Sequence, residues 1–343
     1  MKKLSLFNKM VWVINILVAG LLLLTGVFSF LPFQPIPVLA VLSLFVPFLF
    51  LFNVLFLLYW LIKRKKLFIW SLAAIFFGYL AFGSFYRFGN DVEENPEASL
   101  KVMTYNVWGF NKNGWIKEPN IGDRIIEFIG KEAPDVVCLQ EYSRERYKQL
   151  PQYPYRSETP YPARRTTQAI FSKYPIVDSG SLDLPRTINN VIYADIVLKE
   201  DTIRVYNVHL QSFNIVPSAA AISNGENSER TYKRLVNTFT KQLEQAKIFR
   251  EHLENSPYPS IVCGDFNNTQ FSNSYKIVKD DLQDSFLEKG KGFGRTYDLL
   301  HFPIRIDYVL VDPVFEVLSH QNFDEKLSDH YPVVATLKLD SHQ

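Results

Sequence analysis

The stretch Ile261-Val262-Cys263-Gly264-Asp265-Phe266-Asn267 decides how this chain is read. Its first three residues form a short apolar run rich in β-branched side chains, the pattern of a buried strand. Gly264 breaks the run, and Asp265 and Asn267 stand where the strand emerges from the core. A carboxylate and an amide there can face a ligand from a rigid support. A strand that ends in a carboxylate more often only marks the return to solvent, so one such site decides little.

Five further sites repeat the arrangement. Thr104-Tyr105-Asn106-Val107-Trp108-Gly109 follows the run Leu100 to Met103, and Leu139-Gln140-Glu141 follows Val136 and Val137. Tyr206-Asn207-Val208-His209-Leu210 closes a strand with a histidine, and Arg305-Ile306-Asp307-Tyr308-Val309 and Leu327-Ser328-Asp329-His330-Tyr331-Pro332 complete the series. Strands are expected at Leu100 to Asn106, Asp135 to Gln140, Gln168 to Ser172, Val191 to Leu198, Thr202 to His209, Ser260 to Gly264, Ile304 to Val311 and Val333 to Leu339. Helices are expected at Ile121 to Lys131 and Ser228 to Glu254. In the second, Leu235, Phe239, Leu243, Ala246, Phe249 and Leu253 make an apolar core face at helical spacing.

Six sites in this order resemble the endonuclease/exonuclease/phosphatase superfamily over about Leu100 to Leu339, with Gly-Asp-Phe-Asn and Ser-Asp-His as the most specific pair. The resemblance implies an α+β fold: a four-layer α/β sandwich of two packed mixed β-sheets with helices outside, and a site where strand ends from both sheets converge. It implies that Glu141 is the principal carboxylate ligand of Mg²⁺ or Mn²⁺, assisted by Asn106 and Asp329, which suits the preference of hard cations for oxygen. By the same resemblance Asp265 orients or deprotonates the attacking water and Asn267 holds that water or a phosphate oxygen. His209 and His330 donate to the non-bridging oxygens, where charge develops. Asp307 is expected to pair with His330 and favour its charged form.

Other candidates carry less. His252, His301, His320 and His342 have no motif around them and read as surface residues. Arg164 and Arg165 could meet a substrate phosphate, but exposed Arg pairs are usually only solvated; Gly290 to Tyr297 is a substrate loop or a plain connection. Cys138 and Cys263 each sit inside an apolar run and read as buried free thiols.

The N-terminal quarter is different in kind. No Asp or Glu occurs between Met1 and Asn90, and three stretches lack any charge: Met10 to Leu31, Pro32 to Ile62 and Leu67 to Tyr86. A helix needs about 20 apolar residues to cross the hydrocarbon core, so three transmembrane helices are expected at about 10–31, 38–62 and 67–86. The first could instead be a signal peptide, since Lys2 and Lys3 precede it, but its apolar run is long and no small-x-small site ends it. Lys2, Lys3 and Lys9 precede the first helix and Lys63, Arg64, Lys65 and Lys66 separate the second from the third, which predicts an in, out, in, out order. The chain then divides into a membrane anchor at 1–90, a linker at 91–99 and a catalytic domain at 100–340 that faces away from the cytoplasm.

Charge narrows the substrate. Eight of the 37 Lys and Arg precede Asp91, leaving 29 against all 35 Asp and Glu, a charge of about −6 beyond the anchor. Nucleic-acid binders usually show the reverse. The expected function is a membrane-tethered, metal-dependent phosphoesterase, with the lipid bilayer as partner and a phosphorylated lipid as the favoured substrate. The alternatives are an extracytoplasmic nuclease and a catalytically inactive binding domain.

Overall fold

The computed structural model describes residues 4–31, 40–89, 99–161, 165–213, 228–299 and 302–339. The expected linker up to residue 98, the turn around Pro32, Pro35 and Pro37, and residues Arg164, His301 and His342 lie outside these. The chain groups into two compact units: Met1–Phe85 with Glu226–Leu243 and Thr269–Lys276, and the remainder.

In the first unit α1 (Leu6–Ser29) begins on Ser5, whose side chain accepts from Asn8 N. A 3₁₀ turn, Leu42–Phe45, leads into α2 (Val46–Ile62), and α3 is Phe68–Phe82. Polar side chains point inward. Asn15 donates to Ser71 Oγ at 2.7 Å and accepts from Trp60 Nε1 at 2.9 Å, so one amide ties all three helices together. Leu17, Val27, Leu51, Leu58, Phe76, Phe77 and Leu80 are exposed. This inside-out distribution is what a bilayer, not water, favours.

Among the described residues two helical runs, Leu6–Ser29 and Leu42–Ile62, are long and apolar enough to cross a membrane, rather than the three expected. The third stretch stops short because Gly83, at φ 73°, caps α3 with its N–H on Tyr79 O. That leaves 15 helical residues where 20 were expected.

The second unit holds two six-stranded mixed sheets. Its strands are β1 (Arg87–Phe88), β2 (Leu100–Asn106), β3 (Val136–Gln140), β4 (Tyr155–Glu158), β5 (Ala169–Ser172), β6 (Ile176–Leu182), β7 (Val191–Leu198), β8 (Asp201–His209), β9 (Ser260–Asp265), β10 (Gln283–Asp284), β11 (Lys291–Gly292), β12 (Tyr297–Leu299), β13 (Phe302–Ile304), β14 (Asp307–Val311), β15 (Phe315–Asn322) and β16 (Val333–Leu339). One sheet runs β10-β14-β9-β8-β7-β6 and the other β15-β16-β2-β3-β5-β4. Each has one parallel pair, β8 with β9 and β2 with β3.

Val102, Val136 and Val333 from one sheet meet Ile192, Val205, Ile261 and Val309 from the other in a continuous apolar core that includes both free cysteines. Outside, α4 (Ile121–Glu132) packs Ile125, Phe128 and Ile129 onto Met103, Val137 and Leu139. On the other sheet Phe249, in the C-terminal half of the helix Ser228–Glu254, packs edge-on against Tyr206 at 5.1 Å. These are the layers of an α/β/β/α sandwich. The expected strand Ile304 to Val311 is split, because Arg305 turns inward to form a buried pair with Asp284 at 2.7 Å.

Candidate active site

Sheet register builds the site. Gly264 allows β9 to run hard against β8: its φ is 141°, and a Cβ there would collide with the Val208 carbonyl. In that pairing Asp265 lies opposite His209, and on its other side β14 sets Asp307 opposite Asp265. His209, Asp265 and Asp307 therefore form a row at one end of a sheet. In the facing sheet the parallel β2–β3 pair sets Asn106 opposite Gln140, with Glu141 just beyond. Glu141 and Asn267 both have positive φ, 49° and 50°, so the turns carrying them depart from the backbone that ordinary side chains prefer.

The two rows are joined by hydrogen bonds. Asn106 donates from Nδ2 to Asp265 Oδ2 at 3.1 Å and accepts from Trp108 N on Oδ1. Asn267 holds the same carboxylate through its backbone N–H at 2.7 Å and its side-chain amide at 3.2 Å. His330 sets Nδ1 against Asp307 at 2.9 and 3.2 Å, while its Nε2 lies 3.6 Å from Asp265 Oδ2. His209 Nε2 is buried without a hydrogen-bond partner, 3.7 Å from Asp265 and 4.0 Å from Glu141. Asp329 accepts from Ser328 Oγ, which also donates to the Asn106 carbonyl. All eight residues singled out from the sequence thus border one site or hold a residue that does.

Burial sets the charges. It pushes the Asp265 carboxyl up to about 7, against the pull of His330 and with help from Asp307. Burial also raises Glu141, which His330 lowers and Asp329 raises again, and it raises Asp329 itself. His209 falls to about 3 through burial and then the neighbouring His330 charge, so it is neutral. Burial works against a charged His330, but Asp307 and Asp265 together outweigh it and hold it well above the ordinary histidine range.

Several supporting residues were missed in the sequence. Asn207 donates to Leu139 O and Ala169 O across the sheets, and Gln140 and Gln168 donate to its Oδ1 at 2.7 and 3.2 Å. The available signal was an amide inside an apolar strand, which needs partners once buried. Thr296 Oγ1 accepts from Ile306 N and Asp307 N, and the Tyr297 ring lies 4.9 Å from that of His330. Trp108 stacks on Trp115 at 4.1 Å. Arg165, by contrast, binds the Leu184 carbonyl at 2.9 Å, a structural role.

Among the described residues Asp265, Asp307 and His330 form a group whose ligand atoms lie within 4.8 Å of one another and could hold a metal ion. In it His330 Nδ1 is shared between both Asp307 oxygens, so Asp307 is committed to orienting the imidazole.

A profile of the endonuclease/exonuclease/phosphatase family matches residues 103–330, and one of a domain of unknown function matches residues 8–85. No curated protein matches. Among solved structures the chain is similar to an endonuclease/exonuclease/phosphatase family protein from Bacteroides thetaiotaomicron, at 20% identity and TM-score 0.53 over 71% of this chain and 98% of that one. The human Nocturnin catalytic domain with bound sulfate is similar at 19% identity and TM-score 0.54, over 70% of this chain and 94% of that one. D. rerio TDP2 complexed with a single-strand DNA product is similar at 16% and 0.53, over 71% and 100%. At these identities the structures speak for the fold; the family match, which spans more than half of the chain, identifies it as a member of the endonuclease/exonuclease/phosphatase family, a metal-dependent phosphoester hydrolase.

Proposed function

We propose that the chain is an integral membrane phosphoesterase that uses Mg²⁺ or Mn²⁺, with its sandwich domain outside the cytoplasm and a phosphorylated lipid as its substrate. The convergence of Glu141, Asp265, His209 and His330, each within 4.0 Å of a neighbour in the group, carries the catalytic part of this reading. The donors fit a hard divalent cation. Glu141, Asp265 and Asp329 all have proton affinities raised by burial, and Glu141 and Asp329 repel one another, a strain that a dication relieves. With Asp307 committed to His330, the cation falls to Glu141, with Asn106 and Asp329 beside it. When bound it neutralises a phosphoryl oxygen and stabilises the leaving oxygen.

The protein's own groups do the remaining work. Asp265, near 7, takes a proton from the attacking water at neutral pH, and Asn106 and Asn267 fix the direction of its lone pairs. Protonated His330, steadied by Asp307, donates from Nε2, and neutral His209 donates from its unpartnered Nε2, to the non-bridging oxygens.

The lipid part rests on the outward apolar faces of α1 and α2, the basic run Lys63 to Lys66 and the acidic balance of the sandwich domain. The test is the full chain in nanodiscs, assayed with lipid phosphoesters, lipid pyrophosphates and single-stranded DNA, with and without Mg²⁺ or Mn²⁺. Metal-dependent turnover of a lipid is expected; turnover of DNA with every lipid untouched would select the nuclease reading. Thiol labelling of an exposed cysteine introduced in the sandwich domain, Val177→Cys, in intact cells checks the orientation, and protection until lysis would reverse it.

A further inference from the structure

We infer that Tyr86, Phe88 and Phe293 form a docking surface for the headgroup region of the bilayer in which the chain is anchored, an inference that rests on the membrane-anchored reading above. β1 pairs with β11 through Arg87 opposite Gly292 and Phe88 opposite Lys291. Tyr86 meets Phe88 at 4.9 Å between ring centroids and Phe293 at 5.0 Å, both edge to face. Phe88 is 92% exposed, Phe293 53% and Tyr86 40%. Single exposed apolar residues are ordinary on a soluble surface, but a contiguous group of large rings marks an interaction site.

The patch rests on a built support. Gly290 and Gly294 both press on the buried ring of Phe286, and Gly89 lies so close to the Gly290 carbonyl that a Cβ would not fit. The side chain of Phe293 is thereby held beside the ribbon. Arg87, Lys289 and Lys291 stand beside the rings in the chain, with Asp91 and Glu288 as acidic neighbours in sequence. Aromatic rings flanked by Lys and Arg are the composition of a membrane interface.

Chain length names the occupant. α3 has 15 residues, a rise of about 22 Å at 1.5 Å each, which is about 8 Å less than a hydrocarbon core of about 30 Å. Only Gly83, Ser84 and Phe85 separate its last residue, Phe82, from Tyr86, at most about 14 Å of extended chain. Residues 83–88 must therefore finish the crossing or lie at its surface. Phe293 is under no such constraint, since it comes about 200 residues later. Its place in the same patch makes this a surface of the folded domain and not only the emerging end of a helix.

The test places spin labels on Phe88→Cys, Phe293→Cys, Val177→Cys and Leu17→Cys in the full chain in nanodiscs, and compares collision with oxygen and with a water-soluble nickel chelate. Cys138 and Cys263 are buried and do not compete for label. Val177 is an exposed apolar residue of β6, and Leu17 an exposed residue of α1. The expected result is an oxygen-to-nickel ratio at 88 and 293 that exceeds the ratio at 177 by about fivefold or more and stays below that at 17, which lies mid-way along α1. A water-like label at 293, whatever 88 shows, overturns the docking surface while a lipid-like 17 leaves the anchor standing. A water-like label at 17 removes the anchor, and this surface with it.

Discussion

The helices of the first unit and the strands of the second place polar groups by opposite rules. In α1, α2 and α3 many large apolar side chains face outward, while Asn15 and Ser71 are buried and paired. In the sandwich apolar side chains fill the space between the sheets, and the site residues collect at one end, where His209 Nε2 is left without a hydrogen-bond partner. Asn15 and Ser71 hold helices together, whereas His209 at the sandwich's end is held ready for a ligand. The first kind should matter for stability, the second for rate.

Replacing site residues should have the largest effect. Asp265→Ala and His330→Ala should each lower turnover by at least about 10²-fold, the scale of general acid-base and oxyanion-stabilising groups, with the thermal transition little changed. A variant with near-normal steady-state rate would remove that residue from the mechanism. Gly264→Ala should act the other way round. Its Cβ meets the Val208 carbonyl at a φ that L-residues avoid, so it should cost more than about 3 kcal/mol of stability in denaturant unfolding. Normal stability would mean that the close β8–β9 approach is not needed.

How much of this contrast could be read in the sequence depends on whether the signal was local. The sites at Asn106, Glu141, His209, Asp265, Asp307 and His330 were legible because each is a polar residue bordering an apolar run, Asp307 and His330 ahead of it and the others behind. β4 and β6 were not, since Tyr155–Glu158 and Ile176–Leu182 each bury only one residue fully and show no such run. β15 was hidden by a register shift between Val317 and Ser319 that breaks its alternation. That strand also buries His320, read from the sequence as a surface residue. Its ring meets Ser285 Oγ at 2.8 Å and Asn322 at 3.1 Å, partners that no local pattern reveals. The network on Asn207 likewise depends on contact between sheets, and the early end of α3 turns on the single residue Gly83.

His320 yields a pH prediction within the sandwich alone. Burial lowers its pKa from 6.5 to about 4, so the unfolded chain binds the extra proton first. Its contribution to stability is then complete above about pH 6.5 and is lost as pH falls from there toward 4, at up to about 1.4 kcal/mol per unit and on the order of 3 kcal/mol in all. Unfolding followed between pH 7 and 4 should show this slope, and His320→Gln should flatten it; an equal slope in the variant would assign the effect elsewhere. The smallest effect belongs to the helices. Asn15→Leu removes the bonds to Ser71 and Trp60 and should cost about 1 kcal/mol, the usual scale for hydrogen bonds between apolar helices, with turnover unchanged. A loss of turnover without loss of stability would contradict the division of labour drawn here.

The most direct test of the central claim is metal dependence tied to Glu141. The full chain, stripped with excess chelator, should lose turnover and regain it on titration with Mg²⁺ or Mn²⁺, and Glu141→Gln should bind Mn²⁺ at least about tenfold more weakly by calorimetry. Full turnover in excess chelator, or unchanged Mn²⁺ affinity in Glu141→Gln, would contradict it.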